Sequence, residues 1–299
     1  DEIFGAYAQE VKSKYVREGR LAASCSTQRK IAARFRADDE HDRILSEGLM
    51  RLTEEVLFVE DPRKRGFYHP RIAAHATYAY RSLDDASRRS FDALYDEFFY
   101  RRHNACWRDS AMSKLPPLLA STEMMACGED LGMIPDCVPE VMRRLGILSL
   151  EIQRMPKSAG ELFADPSRYP YLSVCTTSTH DMNPLRAWWE EDRVLTERFY
   201  RDVLGMEGDA PDVCTPQICR RILEQHLSSP AMLAVFPLQD WLATDPVLRA
   251  PDPYGERINV PSNPRHYWRY RMPLSLEELL AQTDFNSCIR SMVERSGRA

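Results

Sequence analysis

The chain has 299 residues, 43% hydrophobic and 28% charged, an ordinary composition for one large or two smaller globular domains. Its net charge of −5 gives no basic surface to neutralise phosphates, so no nucleic-acid partner is expected. No run of eighteen apolar residues and no signal-peptide pattern occurs, and the eight cysteines show neither CxxC pairs nor zinc spacing. The expectation is a cytoplasmic protein with reduced thiols, no membrane partner and no metal.

In chain order, Asp1-Glu2-Ile3-Phe4 opens without a polar lead-in. Phe4, Tyr7, Val11 and Tyr15 already recur at helical spacing, which suggests a piece of a longer chain. Residues 1–113 read as helices and loops. The clearest helix is 90–107, with Phe91, Leu94, Tyr95, Phe98 and Phe99 on one broad apolar face. Arg63-Lys64-Arg65-Gly66 and Tyr68-His69-Pro70 carry turn chemistry. Asp84-Asp85 and Arg88-Arg89 read as the solvated start of a helix.

From about Lys114 the pattern becomes strand, loop, helix, repeated. Residues 124–127 form a short apolar run that stops at Gly128-Glu129-Asp130, and a helix over 138–145 ends at Gly146. Further strands are expected at 148–152, 172–175 and 232–236. The strand at 172–175 runs into Thr179-His180-Asp181. Asn183-Pro184 reads as N-cap and first residue of a long helix with Leu185, Trp188, Leu195, Phe199 and Val203 buried, ending at Gly205. Thr215-Pro216 starts another, to about Leu227. Alternating strands and helices imply parallel βαβ units, and roughly four are present where a (β/α)8 barrel needs eight. The fold expected is therefore α/β: the C-terminal half of a (β/α)8 barrel over 114–285, after a mostly helical insertion over 1–113 and before a tail at 286–299.

A parallel barrel carries its chemistry at the C-terminal ends of its strands, and two of these ends are acidic: Glu129-Asp130 and Asp181. Each has a bland reading, Asp130 closing a turn and Asp181 preceding a helix. Together on one rim they offer what glycosidic cleavage needs, one carboxyl group to protonate the leaving oxygen and another to face the oxocarbenium-like carbon. Trp188, Trp189, Tyr267, Trp268 and Tyr270 offer flat apolar faces suited to sugar rings, or else core packing.

Three blocks carry a family resemblance: 126–135 around Gly128-Glu129-Asp130-Leu131, Thr179-His180-Asp181 with Leu185-Arg186-Ala187-Trp188-Trp189, and Arg257-Ile258-Asn259-Val260-Pro261 with Tyr267-Trp268-Arg269-Tyr270-Arg271. The chain resembles glycoside hydrolase family 77, the amylomaltases or disproportionating enzymes. Leu150-Glu151-Ile152-Gln153-Arg154-Met155-Pro156 and Ala234-Val235-Phe236-Pro237-Leu238-Gln239-Asp240 are similar to its large plant-cytosolic branch, in which a helical insertion separates nucleophile and acid. The resemblance implies a 4-alpha-glucanotransferase acting on maltooligosaccharides and α-glucans without a cofactor. It makes Glu129 the general acid/base and Asp181 the transition-state stabiliser, with His180 and Asn259 as substrate contacts; Trp188, from its flat aromatic face, is a further candidate contact. The family's nucleophile, an Asp in Arg-x-Asp-His, is expected upstream of Asp1. Arg36-Ala37-Asp38 imitates it but lacks the His and reads as charged surface. An α-glucan hydrolase on the same barrel and a non-catalytic glucan-binding protein remain alternatives.

Overall fold

The computed structural model describes residues 3–36, 38–132, 134–158 and 160–298. Asp1 and Glu2 of the opening segment, Ala37 of the nucleophile-like triplet and Met133 of the first family-like block lie outside the described residues. The chain divides into two units, 1–103 and 104–299. The division falls ten residues before the boundary expected from the change of pattern at about 113.

In the first unit, α1 (Ala8–Lys14) leads into a hairpin of β1 (Val16–Arg17) and β2 (Arg20–Leu21). Its turn residues Glu18 and Gly19 both have positive φ, 51° and 72°, the geometry that matches the twist of paired strands. α2 (Gln28–Arg34) and α3 (Glu40–Thr53) begin at side-chain caps, Thr27 accepting from Lys30 N and Asp39 from Asp42 N. With α1 they bury Val11, Tyr15, Ile31, Leu45 and Leu49. β3 (Phe58–Glu60) and β4 (Tyr68–Pro70) pair antiparallel across the Arg63–Gly66 turn. After α4 (Tyr78–Arg81), Asp84 starts α5 (Asp85–Asp96) by accepting from Ala86 N and Ser87 N. The helix expected over 90–107 is not uniform. A π-type segment, Glu97–Arg102, separates α5 from α6 (His103–Ala120), and of the expected apolar face only Phe91 and Tyr95 are fully buried, beside Ala74.

The second unit is built on a parallel sheet. α7 (Cys137–Leu145) ends at Gly146, whose φ of 68° is the left-handed conformation that a helix-ending glycine takes freely. β5 (Ser149–Ile152), β6 (Ser173–Thr176) and β7 (Leu233–Ala234) pair in chain order, with Ser149 opposite Ser173 and Cys175 opposite Ala234. The run at 124–127 is not a full strand. It meets the free side of β5 at one parallel bridge, Cys127 to Leu148, with Gly128 N donating to Leu148 O (2.8 Å) and Leu148 N to Ala126 O (3.0 Å). Met124 and Met125 stay exposed, so only the last residues of that run hold the sheet.

The long helix expected after Pro184 is in three pieces: α8 (Leu185–Glu191), α9 (Arg193–Arg198) and a π-type segment, Phe199–Val203. Asp192 breaks it by leaving helical φ/ψ and capping α9 through Leu195 N. Nor is Asn183 the N-cap. Pro184 holds that position, Asn183 donates its amide to Glu191 instead, and the amide of Leu185 is satisfied by distant Asp240. α10 (Pro216–Leu227) starts at Thr215, as its Thr-Pro pair predicts. Leu185, Trp188, Trp189, Phe199, Tyr200, Ile218 and Ile222 form the main core. α11 (Leu238–Leu242) follows β7, and α12 (Leu276–Ala281) and α13 (Thr283–Arg295) end the chain.

The segment 286–299 is therefore no free tail. Met292 packs on Leu223 and Leu227 of α10, and the Arg298 guanidinium donates to the carbonyls of Leu227, Ser229 and Ala231. Among the described residues no helix is long and apolar enough to cross a membrane.

Candidate active site

Parallel strands put their C-terminal ends on one rim, and the expected acids lie along it. Glu129 follows the 126–128 segment, and Asp181 lies in the loop after β6. One strand, β5, separates the segment that Glu129 follows from β6, so the strand ends from which the two loops leave are on the order of 10 Å apart, given a spacing of about 4.8 Å between neighbours.

At the first position the neighbouring carboxylates divide the work. Glu129 is exposed. Asp130, only 4% exposed, accepts from Leu150 N (2.9 Å) and from Lys157 Nζ (2.8 Å), and Lys157 also pairs with Glu151 (2.8 Å). The buried Asp130 pins its loop to β5 and leaves Glu129 pointing out.

At the second position the loop of Thr179, His180 and Asp181 meets the segment of Arg257, Ile258 and Asn259. Asn259 Nδ2 donates to Asp181 Oδ1 (2.5 Å), and Asn259 N donates to His180 O (3.1 Å). Arg257 Nε holds Asn259 O (2.7 Å), while His180 Nε2 lies 3.4 Å from Asp181 Oδ2. Trp268, 60% exposed, sets its ring 4.9 Å from that of His180. Beside them a cavity of about 360 Å³ opens between the ends of β6 and β7, lined by Thr179, His180, Met182, Phe236, Leu238 and Ile258. A carboxylate with one oxygen fixed and half its surface open, an imidazole and an exposed indole suit a neutral polyhydroxylated ring.

Buried charge lies beneath this loop. Asp240 is fully buried, and Arg154 reaches from the end of β5 to stack its guanidinium 4.8 Å from the Trp188 ring centre. Burial raises the pKa of Asp240, and burial lowers that of Arg154 to about 10, which still leaves it charged at neutral pH. Glu256 pairs with Arg186 at 3.1 Å, and burial pushes its carboxyl up to about 7.

Of the expected site residues, the structure brings His180, Asp181 and Asn259 into contact. Among the described residues, Glu129 shares no hydrogen bond or ion pair with them, only the rim. Trp188 is a correction. Its ring is 7% exposed, packed edge-on against Phe199 and covered by Arg154, so it serves the core rather than a sugar. Its place on the inner stripe of α8 was the signal for that. Trp268 is the better-placed aromatic. Arg154 and Asp240 sit inside family-like blocks, yet no spacing rule assigned them a role. Arg36 and Asp38 form an exposed ion pair of 2.8 Å, as expected of charged surface. Among the described residues, Asp39, His41 and Asp42 could converge on a metal ion, but Asp39 caps α3 and His41 is taken by Glu10 at 2.8 Å.

The comparison with known families decides what this arrangement belongs to. Residues 58–276 match the 4-alpha-glucanotransferase family model, nearly three quarters of the chain. The chain belongs to the 4-alpha-glucanotransferases, glycoside hydrolase family 77. Among its relatives, the 4-alpha-glucanotransferase DPE2 of Oryza sativa subsp. japonica is 37% identical over all of this chain and 33% of its own length. The 4-alpha-glucanotransferase of Chlamydia muridarum is 30% identical over 62% of this chain and 35% of its own. The chain thus spans about a third of the length of these relatives. Among solved structures, amylomaltase from Streptococcus agalactiae in complex with acarbose matches 58% of this chain and 32% of its own, at 17% identity and a TM-score of 0.45.

Proposed function

We propose that this chain supplies the acid and the transition-state stabiliser of a retaining 4-alpha-glucanotransferase, on the second half of a (β/α)8 barrel. Its substrates are maltooligosaccharides and α-glucans, and its setting is the cytoplasm. The nucleophile comes from outside these 299 residues. That carboxylate attacks the anomeric carbon of the donor while Glu129 protonates the departing oligosaccharide. Glu129, now deprotonated, takes the proton from the 4-hydroxyl of an acceptor glucan, which attacks the glycosyl-enzyme and restores the nucleophile. Asp181 lies against the donor sugar as positive charge develops, with His180 and Asn259 beside it.

The observation that carries this reading is the second position. Asp181 is held by Asn259 at 2.5 Å next to His180, at the strand end where the family resemblance put the stabiliser. Exposed Glu129 on the same rim supports the acid's role, because a proton donor must be free to reach the glycosidic oxygen. The mechanism needs carboxyl groups alone.

Product analysis on maltotriose in the intact protein tests it. Transfer between two maltotrioses gives maltopentaose and glucose, and Asp181→Asn slows the formation of both by orders of magnitude without stopping it. Maltose and glucose in equal amounts would mean water as acceptor, and no product at all would mean a binding protein.

A further inference from the structure

The loop that carries His180 and Asp181 is tied at both shoulders by two side chains, the half-buried Arg154 and the buried Asp240. Arg154, at the end of β5, donates from Nε (3.2 Å) and Nη2 (2.8 Å) to Thr177 O before the loop, and from Nη2 to Asn183 O (2.9 Å) after it. Asp240, in the first turn of α11 after β7, accepts from Thr177 Oγ1 (2.5 Å) and Ser178 Oγ (3.1 Å) before the loop. Its other oxygen accepts from Leu185 N (2.9 Å) after it. Each residue therefore spans the whole loop, and they come from the two strands flanking the one that the loop leaves.

This geometry has a cost that simple packing would avoid. The Leu185 amide that Asp240 caps could have been satisfied locally by the Asn-Pro start that the sequence offers at 183–184. Instead a carboxylate is withdrawn from water to cap α8, and a guanidinium is half withdrawn to bridge two carbonyls. Charge-assisted hydrogen bonds are directional and strong, so they fix a loop more closely than apolar contacts do. Among the described residues, neither shares a hydrogen bond or ion pair with Glu129 or with the Asp130–Lys157 pair that fixes the other acid.

We propose that Arg154 and Asp240 are positioning residues that hold Asp181 at the height where it meets the transition state. The inference rests on the reading of Asp181 as stabiliser. It predicts that the two residues act on the reaction through Asp181 and not through Glu129.

The test is a double-mutant cycle in the intact protein, with kcat and KM for transfer from maltotriose. Arg154→Lys keeps the charge but cannot bridge two carbonyls, and Asp240→Asn keeps size and an acceptor for Leu185 N. Misplacement by an ångström is enough to slow a reaction about 100-fold, so each variant should lower kcat by about 10- to 100-fold and change KM less than about 3-fold. In an Asp181→Asn background the same substitutions should cost less than about 3-fold, because the group they position is already gone. Thr177→Val, which removes one hydroxyl and spares both charges, should show the same pattern at about 3- to 10-fold should the charge variants fail to fold. Equal losses in both backgrounds, or a raised KM with kcat intact, would overturn the clamp and leave the assignment of Asp181 standing. An Asp181→Asn protein with unchanged kcat would instead overturn that assignment, and the clamp's role with it.

Discussion

The two units of this chain differ in where they place charge. In residues 1–103 the ion pairs lie at the surface: Lys14 with Glu10, Arg43 with Glu47, His69 with Asp61, His75 with Asp92. Glu10, Asp61 and Asp92 are held below the usual carboxylate range mainly by hydrogen bonds from His41, His69 and Tyr80 respectively. Residues 104–298 have exposed pairs too, such as Arg201 with Asp202 and Arg295 with Glu224, but there charge also goes inside. Asp240, Glu256, Arg186, Arg154 and His226 are buried or nearly so, and burial is the leading cause of every shift resolved among them. Exposed pairs contribute little and can be exchanged freely, whereas buried charge is tolerated only where its geometry is satisfied. Of this set, Arg154 and Asp240 are bound to the shoulders of the candidate-site loop, which is where a fixed geometry would be useful.

The largest expected contrast is in packing. Trp188→Ala removes a buried indole and the surface under Arg154, and should cost about 3–5 kcal/mol in chemical denaturation. Phe67→Ala in the first unit, 52% exposed with the Lys64 ammonium over its ring, should cost at most about 1 kcal/mol. Similar losses at both positions would remove the distinction between the units.

A smaller effect should appear with pH. His226 is fully buried, donates Nδ1–H to Ile222 O at 2.8 Å and leaves Nε2 without a partner. Burial lowers its pKa to about 4, against 6.5 for an ordinary histidine. Between these values the unfolded chain binds a proton that the folded one does not, so stability falls as pH drops from about 6.5 towards 4. Glu256 works in the other direction. Its folded pKa of about 7 means that the folded state holds the extra proton, so its contribution falls as pH rises from about 4.5 to 7. Denaturant midpoints across pH 4–8 should lose the acid-side slope in His226→Phe and the opposing slope in Glu256→Gln. A wild-type profile that both variants leave unchanged would contradict the buried-charge account.

Much of this architecture was legible because local signals agreed with the fold. Thr215-Pro216 and Gly146 mark helix ends that the structure keeps, and the strands around Leu150 and Val174 are where apolar runs put them. The readings that failed did so where a distant residue took over a local task. Asn183-Pro184 is a good capping pair, yet Asp240, 55 positions away, supplies the acceptor. Residues 286–299 look like a polar tail until Arg298 finds three carbonyls of the loop after α10. At the site, Asp181 and His180 could be read from their place after a strand, because rim position follows from topology. Asn259 needed the family resemblance, since nothing local links it to a residue 78 positions earlier. Trp188 and Trp268 show the limit of composition: both are indoles, and only burial assigns one to the core and the other to the rim.

The central claim is that Glu129, not its buried neighbour Asp130, is the proton donor. Two donors in the intact protein test it, maltotriose and an α-glucosyl fluoride, whose leaving group needs no proton. Glu129→Gln should slow transfer from maltotriose by about 10²- to 10⁴-fold and leave formation of the glycosyl-enzyme from the fluoride fast. Asp130→Asn, which keeps an acceptor for Leu150 N and loses the pair with Lys157, should slow both donors alike and far less. If Glu129→Gln slows both donors equally, or Asp130→Asn shows the donor-selective loss, the proton comes from elsewhere.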